Sequence, residues 1–425
     1  MTTTATASES QPGSSHRRID DQTREVAPQR AVPDHRLALT AIFLTAYATN
    51  VSTPFLVAYR DRLDLGPTET QTIFVVYVGG ILTTLLFAGP AADRFGRKPM
   101  TVPFVALAAL ASFLIVLGRD SYPLLLAGRC MLGVSVGAVL AVGTAWVQEL
   151  LGPGTQVKAA VWTTLATYVG FGFGPAISSV LELVAPWPLV TPFVLHIVLT
   201  LVVLPFLMRI PETRPATSSR SSLRPNLGVP RNGRIIFWLT VVPAAIWVFA
   251  FPSTSFALFP VLLSEAMPGN EIQVAGAAST LTAWSAIAAR PILNRWGSTP
   301  TLISGMTMGF SGYLLGTTAF WTGGWPLVLP AAMLLGAASG CITAGCLAIL
   351  GAIAEDHRRG ALTSTFYLFA YPCMSMPVIV TSLASVTSNR AALVTITSAA
   401  LIGLVVVVSS ALALRPGRHR RGFAT

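Results

Sequence analysis

Twelve apolar stretches, each about long enough to cross the hydrocarbon core of a bilayer, recur along nearly the whole chain. In chain order they are Leu37–Tyr59, Thr68–Ala88, Met100–Gly118, Leu124–Gln148, Ala159–Leu183, Val190–Met208, Ile235–Leu263, Glu271–Leu293, Leu302–Phe320, Leu327–Ile353, Ala361–Val386 and Ala391–Leu414. A spanning segment must satisfy its backbone polar groups internally, and these stretches lack the polar–apolar alternation of barrel strands. The sequence therefore predicts an all-α membrane protein with twelve transmembrane helices, numbered here as predicted spans 1 to 12.

Basic residues are distributed unevenly between the loops on the two sides of these spans. If the N-terminus is cytoplasmic, the outer loops hold only Arg60, Arg62, Arg119 and Arg390 of the 28 Lys and Arg residues, and Arg129 lies within a span. Because Lys and Arg concentrate in cytoplasmic loops, this pattern predicts a multi-pass protein of the cytoplasmic membrane with both termini cytoplasmic. The net charge of +11 then reflects topology, and we expect the lipid bilayer but no nucleic acid as a partner.

An eleven-residue segment between predicted spans 2 and 3 recurs between spans 8 and 9. The first copy, Gly89–Pro99, reads GPAADRFGRKP, and the second, Arg290–Pro300, reads RPILNRWGSTP. Two proline positions, one arginine and one glycine are in register. A repeat of about half the chain length, set between apolar segments, is typical of secondary transporters built from two related bundles.

The duplication extends beyond this segment and defines the expected domains. Gly133 and Gly137 of span 4 recur as Gly336 and Gly340 of span 10. Residues between spans 6 and 7 are rich in Ser, Arg, Pro and Gly, which is a linker composition. The expected domains are a disordered cytoplasmic tail at 1–35, pseudo-symmetric six-helix bundles at 36–210 and 234–414, a cytoplasmic linker at 211–233 and a basic cytoplasmic tail at 415–425.

The first copy of the repeat resembles the signature loop of the major facilitator superfamily, G-x-x-x-D-R-x-G-R-K/R. Every defined position matches, at Gly89, Asp93, Arg94, Gly96, Arg97 and Lys98. The resemblance covers about Arg36 to Leu414 and implies the twelve-helix fold of that superfamily, most like its drug:proton antiporters. It also implies that the loop is a conformational latch in which Asp93 meets the N-terminal end of span 11, near Ala361.

Three further residues resemble members of the cytoplasmic charge cluster of this superfamily. Glu149, at the end of span 4, corresponds to an acidic member of that cluster. Glu355 and Arg359, at the end of span 10, look like its counterpart. Such a cluster would hold the inner gate closed in one conformation and break when the gate opens. For Glu355, a solvated helix end is the alternative interpretation.

Arg129 is the one basic residue well inside a predicted span. A buried arginine is costly in a membrane, so its side chain should face the protein interior and have a partner. One role is binding an anionic substrate or relaying protons. The other, which we favour, is structural and gating: hydrogen bonding to free carbonyls near Asn50–Pro54 of span 1.

Gly170, Gly174 and Pro175 in span 5 resemble the G-x-x-x-G-P element of the antiporters in this superfamily. The resemblance implies close approach of spans 5 and 8 and favours export. Ser178 and Ser179 stand where the antiporter pattern has a glycine pair, and generic close packing is the alternative interpretation.

No carboxylate is expected near the middle of the membrane, because all 17 acidic residues fall in tails, loops or helix ends. The candidate groups for proton coupling are Glu69, Asp93, Glu149 and His196. His196 has the most suitable unperturbed pKa, although a lone intramembrane histidine is more often a packing residue. Coupling to another ion, or uniport, stays open.

A substrate cavity is expected near the midplane, between the two halves. Its candidate lining residues are Tyr47, Asn50, Arg129, Trp146, Tyr168, Trp247, Trp284, Tyr367 and Tyr371. Asn50 occupies the region of span 1 where many drug exporters of the superfamily place an acid. Without that negative charge, a neutral or anionic substrate is more natural than a strongly cationic one.

The sequence therefore predicts a secondary active transporter that exports small amphipathic molecules by alternating access, acts as a monomer and has protons as a candidate coupling ion. One alternative is an uptake permease for a small organic anion or a sugar-like solute, because Pro211–Arg214 resembles the end of helix 6 in sugar porters. Another is a non-transporting membrane receptor on the same fold. We expect no enzymatic activity, cofactor or metal, since the chain has no phosphate-binding glycine loop, metal-ligand cluster or catalytic constellation.

Overall fold

The computed structural model describes residues 34–214, 229, 233–289, 291, 295–354 and 359–414, and these ranges contain helices and no strand. The helices are α1 (Asp34–Val51), α2 (Leu56–Leu63), α3 (Pro67–Phe95), α4 (Val102–Leu117), α5 (Tyr122–Leu151), α6 (Gln156–Val184), α7 (Thr191–Leu207), α8 (Arg234–Leu262), α9 (Glu271–Ala288), α10 (Ser298–Thr322), α11 (Val328–Ile353), α12 (Arg359–Ala370), α13 (Met376–Val386) and α14 (Asn389–Ala413). Short 3₁₀ turns occur at Gly118–Asp120, Ser264–Ala266, Trp325–Leu327 and Tyr371–Ser375. The predicted all-α class is confirmed.

Several sequence predictions fall outside these ranges. They are the tail at 1–35 except for its last two residues, most of the linker at 211–233, Glu355, and the basic tail at 415–425.

Seven of the described helices are long and apolar enough to cross a membrane: Val102–Asp120, Tyr122–Leu151, Gln156–Val184, Arg234–Leu262, Trp325–Ile353, Thr365–Val386 and Asn389–Ala413. An eighth is counted if α1 and α2, bent by 46° to each other, form one span. α7 is apolar but has 17 residues. The chain is thus a multi-pass membrane protein, and the predicted count of twelve spans stays a prediction.

Proline interrupts the first predicted span, Leu37–Tyr59. Pro54 has no backbone N–H, and the preceding Thr53 N–H donates to the Asn50 oxygen at 3.1 Å. The chain turns here between α1 and α2. The Thr49 carbonyl is consequently open to a donor from outside the helix.

Two other prolines leave helix carbonyls that polar side chains satisfy. Pro252 in α8 cannot donate to the oxygen of Val248 four residues earlier, and the Ser339 hydroxyl of α11 donates to it at 2.6 Å. Pro175 in α6 leaves the Phe171 oxygen open in the same way. These replacements tie neighbouring helices together.

The repeated glycines occupy equivalent places in two helix pairs. Gly133 and Gly137 of α5 pack on the backbone of α3, and Gly336 and Gly340 of α11 pack on the backbone of α9. A methyl group at these positions would collide with the carbonyl oxygens of Tyr77, Ile81, Thr282 and Ala286, respectively. The internal sequence repeat therefore has a structural counterpart, because no other residue allows helix backbones to approach so closely.

The buried apolar side chains form several clusters. The largest consists entirely of residues after position 228. A second draws mainly on α1 to α5 and includes four residues from the later part of the chain, Phe256, Ala257, Val261 and Met374. A third, smaller cluster lies within residues 37–210. Each part of the chain thus has its own core, and the second cluster joins the two.

Candidate functional site

A cavity of ≈340 Å³ lies among helices from both parts of the chain. Its polar lining residues are Thr49, Asn50, Thr144, Thr163, Thr164, Thr167, Thr282, Ser339 and Thr343. Its aromatic lining residues are Tyr77, Tyr168, Phe171, Phe249, Phe256, Tyr367 and Tyr371. The remaining lining is aliphatic apart from Pro252, Gly340 and Met374, and no residue in the described lining carries a charge.

The described lining includes four of the predicted residues, Asn50, Tyr168, Tyr367 and Tyr371. It does not include Tyr47, Arg129, Trp146, Trp247 or Trp284. Asn50 donates its side-chain amide to the Phe171 oxygen at 3.4 Å, which is the carbonyl that Pro175 leaves open. Its Oδ1 atom is buried and has no hydrogen-bond partner in the described part of the chain. Asn50 therefore links α1 to α6 and keeps one acceptor unused.

Aromatic rings from α8, α12 and the 3₁₀ turn Tyr371–Ser375 are packed together at one part of the cavity. The rings of Phe249 and Tyr371 stack, with their centroids 4.5 Å apart and an interplanar angle of 21°. Tyr367 lies 5.8 Å from Tyr371. These rings supply a broad apolar surface for a ligand.

Contacts between the two parts of the chain cluster at the end of the bundle where α3 begins. The Gln71 amide donates to the Ala257 oxygen at 3.0 Å, and Arg60 Nη1 donates to the Ser264 hydroxyl at 3.4 Å. Ser179 of α6 donates to the Ile272 oxygen of α9 at 3.2 Å. Direct contacts therefore join the two parts of the chain at this end.

Arg129 is fully buried and does not line the cavity. Its Nη1 donates to the Thr49 oxygen at 2.7 Å, while Nε and Nη2 donate to the oxygens of Ile73 and Phe74 at 3.0 and 3.1 Å. The Thr49 carbonyl is the one opened by the break before Pro54. This geometry matches the structural role that the sequence analysis favours and gives no support to a substrate clamp.

His196 also lies away from the cavity. Ser112 of α4 is 2.9 Å from its Nδ1, and Thr200 of α7 is 3.1 Å from its Nε2. Its ring stacks on Tyr47, with centroids 6.0 Å apart, and the Tyr47 hydroxyl donates to the Pro192 oxygen at 3.5 Å. Tyr47 and His196, predicted as cavity and coupling groups, therefore join α1, α4 and α7 inside the protein.

Glu69 occupies the N-terminus of α3. Its carboxylate accepts the backbone N–H of Gly66 at 2.8 Å, which is a capping interaction that satisfies a free donor. None of the predicted coupling candidates Glu69, Asp93, Glu149 and His196 lines the described cavity.

The signature loop forms a charged cluster at the opposite end of α3. Arg97 pairs with Asp93 at 3.0 Å and with Glu149 at 3.1 Å. Asp93 also pairs with Arg214 at 2.9 Å. The predicted partner of Asp93, the start of α12, is not among its described contacts. Arg94 is exposed and stacks 5.3 Å from the Phe95 ring centre.

Glu212 also belongs to this charged cluster, and the sequence pattern did not single it out. Its carboxylate accepts backbone N–H groups from Arg97 at 2.9 Å and Lys98 at 3.0 Å. Gly96 has a φ of +104°, and a Cβ added there would lie 2.6 Å from Glu212 Oε2. Glu212 is therefore bound by backbone N–H groups of the loop and not by its charged side chains. The only sequence signal was the resemblance of Pro211–Arg214 to a known helix end.

Partial burial disfavours the charged form of Glu212, but backbone N–H donors from Arg214, Arg97, Lys98 and Thr213 outweigh it and hold the pKa of this carboxyl below its ordinary value. Thr213 in turn donates to Glu149 Oε2 at 2.5 Å. The segment after α7 is thus bound to both α3 and α5.

The glycines of α6 differ from expectation in which neighbour they contact. A Cβ at Gly170 would lie 2.6 Å from the Phe43 oxygen, and one at Gly174 would collide with the Tyr47 oxygen, so both pack on α1. Residues four apart share one helix face, and that face is directed to α1. α6 does meet α9, but through Gly172 against Trp284 and through Ser179.

The remaining predicted residues are placed as follows. Lys98 contributes its backbone N–H to the cluster. Gly89 lies within α3, and Arg359 begins α12. Glu355 lies outside the described residues, so the predicted charge pair at the end of span 10 stays a prediction.

Comparisons with known proteins place this geometry in a family. Residues 38–307 match the sequence model described as Major Facilitator Superfamily. The multidrug resistance protein MdtL of Escherichia coli O8 is 31% identical over 213 residues, covering 49% of this chain and 53% of MdtL. MdtL of a Shewanella species, strain ANA-3, is 36% identical over 126 residues, covering 29% of this chain and 32% of that protein. The matches thus span about half or less of these relatives.

Solved transporter structures share the fold. A POT family transporter in complex with 5-aminolevulinic acid has a TM-score of 0.76 at 10% identity, covering 90% of this chain and 96% of that one. The nucleoside transporter NupG has a TM-score of 0.67 at 11% identity, covering 88% and 99%. The chain therefore belongs to the major facilitator superfamily and is a multi-pass membrane protein with the fold of these solved transporters.

Proposed function

We propose that this chain is a twelve-helix permease that exports small amphipathic organic molecules across the cytoplasmic membrane by alternating access. The two six-helix bundles are the predicted ones, at 36–210 and 234–414, and both termini are cytoplasmic. The observation that carries the proposal is the uncharged cavity, which α1, α3, α5 and α6 line together with α8, α9, α11 and α12. A site shared between two bundles changes its exposure when the bundles rock against each other.

The contacts between the two parts of the chain at one end of the bundle support an assignment of the conformation. Gln71–Ala257 and Ser179–Ile272 lie on the predicted outer side, because α3 begins and α6 ends there. The structure then corresponds to an inward-facing state, with the outer gate closed. Export requires the same contacts to break after a molecule has entered from the cytoplasm.

The charged cluster supports a latch with exchangeable partners. In this state Asp93 pairs with Arg97 and Arg214, both from the first bundle or the linker that follows it. In the outward-facing state Asp93 instead meets the N-terminal end of α12, as the family resemblance implies. One carboxylate with a partner in each state gives the two-state element that alternating access needs.

Export is favoured over uptake of an anion by the cavity and by the relatives. The relatives named above are multidrug resistance proteins. An organic anion would need a cationic side chain in the cavity, and the described lining has none. Protons are the candidate exchange ion, and the carboxylates of Asp93 and Glu149 are then the groups that would exchange them.

Flux in proteoliposomes with an imposed pH gradient tests the proposal. A panel of neutral, anionic and cationic lipophilic compounds is added, and compound movement and internal pH are followed together. Substrate-triggered dissipation of the gradient is the expected result. Compound movement without a pH change would support the export proposal and contradict proton coupling. If no compound moves faster than through protein-free vesicles, the transport proposal is wrong.

A further inference from the structure

Three hydroxyl groups of the cavity are arranged as hydrogen-bond acceptors, namely those of Thr164, Thr167 and Ser339, while the Thr343 hydroxyl has no partner in the described structure. Thr164 and Thr167 of α6 donate their hydroxyl hydrogens to the carbonyls four residues earlier, at 2.7 and 2.8 Å. Ser339 donates to Val248 in the same manner. A hydroxyl has one hydrogen and two lone pairs, so each of these lining oxygens still accepts a bond. The cavity therefore suits a ligand that brings donors.

Asn50 strengthens this preference. Its amide nitrogen is committed to the Phe171 oxygen, and its buried Oδ1 has no partner in the described structure. A buried acceptor without a donor is costly, and a donor on a bound molecule would remove that cost.

Arg129 places a positive charge behind one wall of the cavity. Its guanidinium carbon is 4.8 Å from the ring centre of Tyr77, which lines the cavity. All three guanidinium nitrogens donate to carbonyls, and none of the ion pairs among the described residues involves Arg129. A cation entering the cavity is repelled by this charge and finds no described carboxylate there. An anion would face the acceptor oxygens instead.

The aromatic surface fits a flat ligand better than a caged cation. Phe249 and Tyr371 are stacked on each other, so one face of each ring is already covered. A cage for a quaternary ammonium needs several open ring faces directed at one point. A cavity of ≈340 Å³ is at the small end of ligand pockets.

We propose that the transported molecules are small, uncharged aromatic compounds that carry hydrogen-bond donors, such as phenols. The inference rests on the proposed function, since it assumes that this cavity holds the transported molecule. The donor contacts the oxygens of Thr164, Thr167 or Asn50, and the ring packs on Phe249 and Tyr371.

Three matched probes test the two parts of this inference. meta-tert-Butylphenol is uncharged and has a donor, meta-tert-butylanisole has the donor methylated, and meta-hydroxyphenyltrimethylammonium replaces the quaternary carbon by a charged nitrogen. Binding to the full chain in lipid nanodiscs is measured by titration calorimetry, with empty nanodiscs as the blank for partitioning. We expect the phenol to bind at least about tenfold more tightly than the cation and about fivefold more tightly than the anisole.

Two variants locate the site. Thr167→Val keeps the shape and removes one acceptor, so phenol affinity should fall about fivefold while anisole affinity stays unchanged. Thr318→Val is the matched control, because Thr318 is exposed on α10 and also donates to a carbonyl four residues earlier. It should leave the affinities of all probes unchanged.

Each of the following results would overturn the inference about the substrate class. None of them would by itself contradict the proposal that the chain is a transporter. Equal or tighter binding of the cation removes the charge selectivity, and equal binding of the anisole removes the donor requirement. No binding of any probe, or equal effects of both variants, shows that this cavity is not the site proposed. The flux assay decides separately whether the chain transports, because a protein that moves only cations would keep export and refute this substrate class.

Discussion

The Glu212 carboxylate accepts the backbone N–H of Arg97 at 2.9 Å and thereby joins the segment after α7 to the loop after α3. The same carboxylate accepts the N–H of Lys98, and Gly96 leaves the space that it occupies. The backbone N–H groups of the signature loop therefore bind the Glu212 carboxylate. The sequence pattern of the loop shows its charged side chains but does not show that its backbone binds a carboxylate.

Glu212→Gln should lower thermal stability in detergent through loss of a charged acceptor, by about 1 kcal/mol. The pKa of Glu212 is lowered from the ordinary 4.5 in the folded protein, so its contribution is complete above that value and is lost as the pH falls through the folded pKa. The melting temperature of the native chain should thus fall more steeply below about pH 4.5 than that of Glu212→Gln. Parallel curves for the two proteins would contradict this role.

Asp93→Asn should impair transport with little loss of stability. The substitution removes an exposed ion pair to Arg214, which is worth at most about 1 kcal/mol. It also removes a pair to the buried Arg97, whose guanidinium keeps its pair with Glu149. It also removes the charge that the proposed outward-facing state needs at the start of α12. Flux and melting temperature are measured on the same preparation. Unchanged flux would refute the latch role.

Arg129→Lys should destabilise the protein by about 2–4 kcal/mol, although the charge is kept. The guanidinium satisfies the Thr49, Ile73 and Phe74 oxygens at once, and an ammonium on a shorter, non-planar group cannot reach all three. Melting temperature and flux should fall together. Full activity in Arg129→Lys would show that the protein requires the positive charge and not the three hydrogen bonds of the planar guanidinium.

Gly174→Ala should loosen the contact of α6 with α1 and cost about 1–3 kcal/mol, because the new methyl group meets the Tyr47 backbone. Gly79→Ala is the matched control, since a Cβ there has nothing within 4 Å and alanine is the better helix former. The two melting temperatures should move in opposite directions. Equal shifts would show that the α1 contact does not depend on glycine.

Much of the fold was predictable because hydropathy decides where a chain enters the membrane. The helix breaks were less predictable. Pro54 can be read from the sequence, but the turn between α1 and α2 depends on the local hydrogen bond from the Thr53 N–H to the Asn50 oxygen. The direction of each side chain was least predictable. Tyr47 and His196 point to neighbouring helices rather than to the cavity. The sequence could not predict this, because a span that is apolar on every side has no polar face that would show which side is directed inward.

The signature loop shows the same limit at the site. Its matching pattern predicted Asp93, Gly96 and Arg97 in the loop between spans 2 and 3, whereas α3 continues to Phe95 and includes Asp93. It could not predict Glu212, because a carboxylate held by backbone N–H groups 114 and 115 residues away leaves no pattern in the residues that donate.

Side-specific labelling of a cavity residue tests alternating access most directly. Thr167→Cys is placed in a chain whose four native cysteines are replaced by serine or alanine, and a membrane-impermeant maleimide is applied from either side. The account predicts labelling from the cytoplasmic side at rest and from the outer side only when a transported compound is present. Labelling from one side under every condition, in protein that still moves the compound, would contradict it.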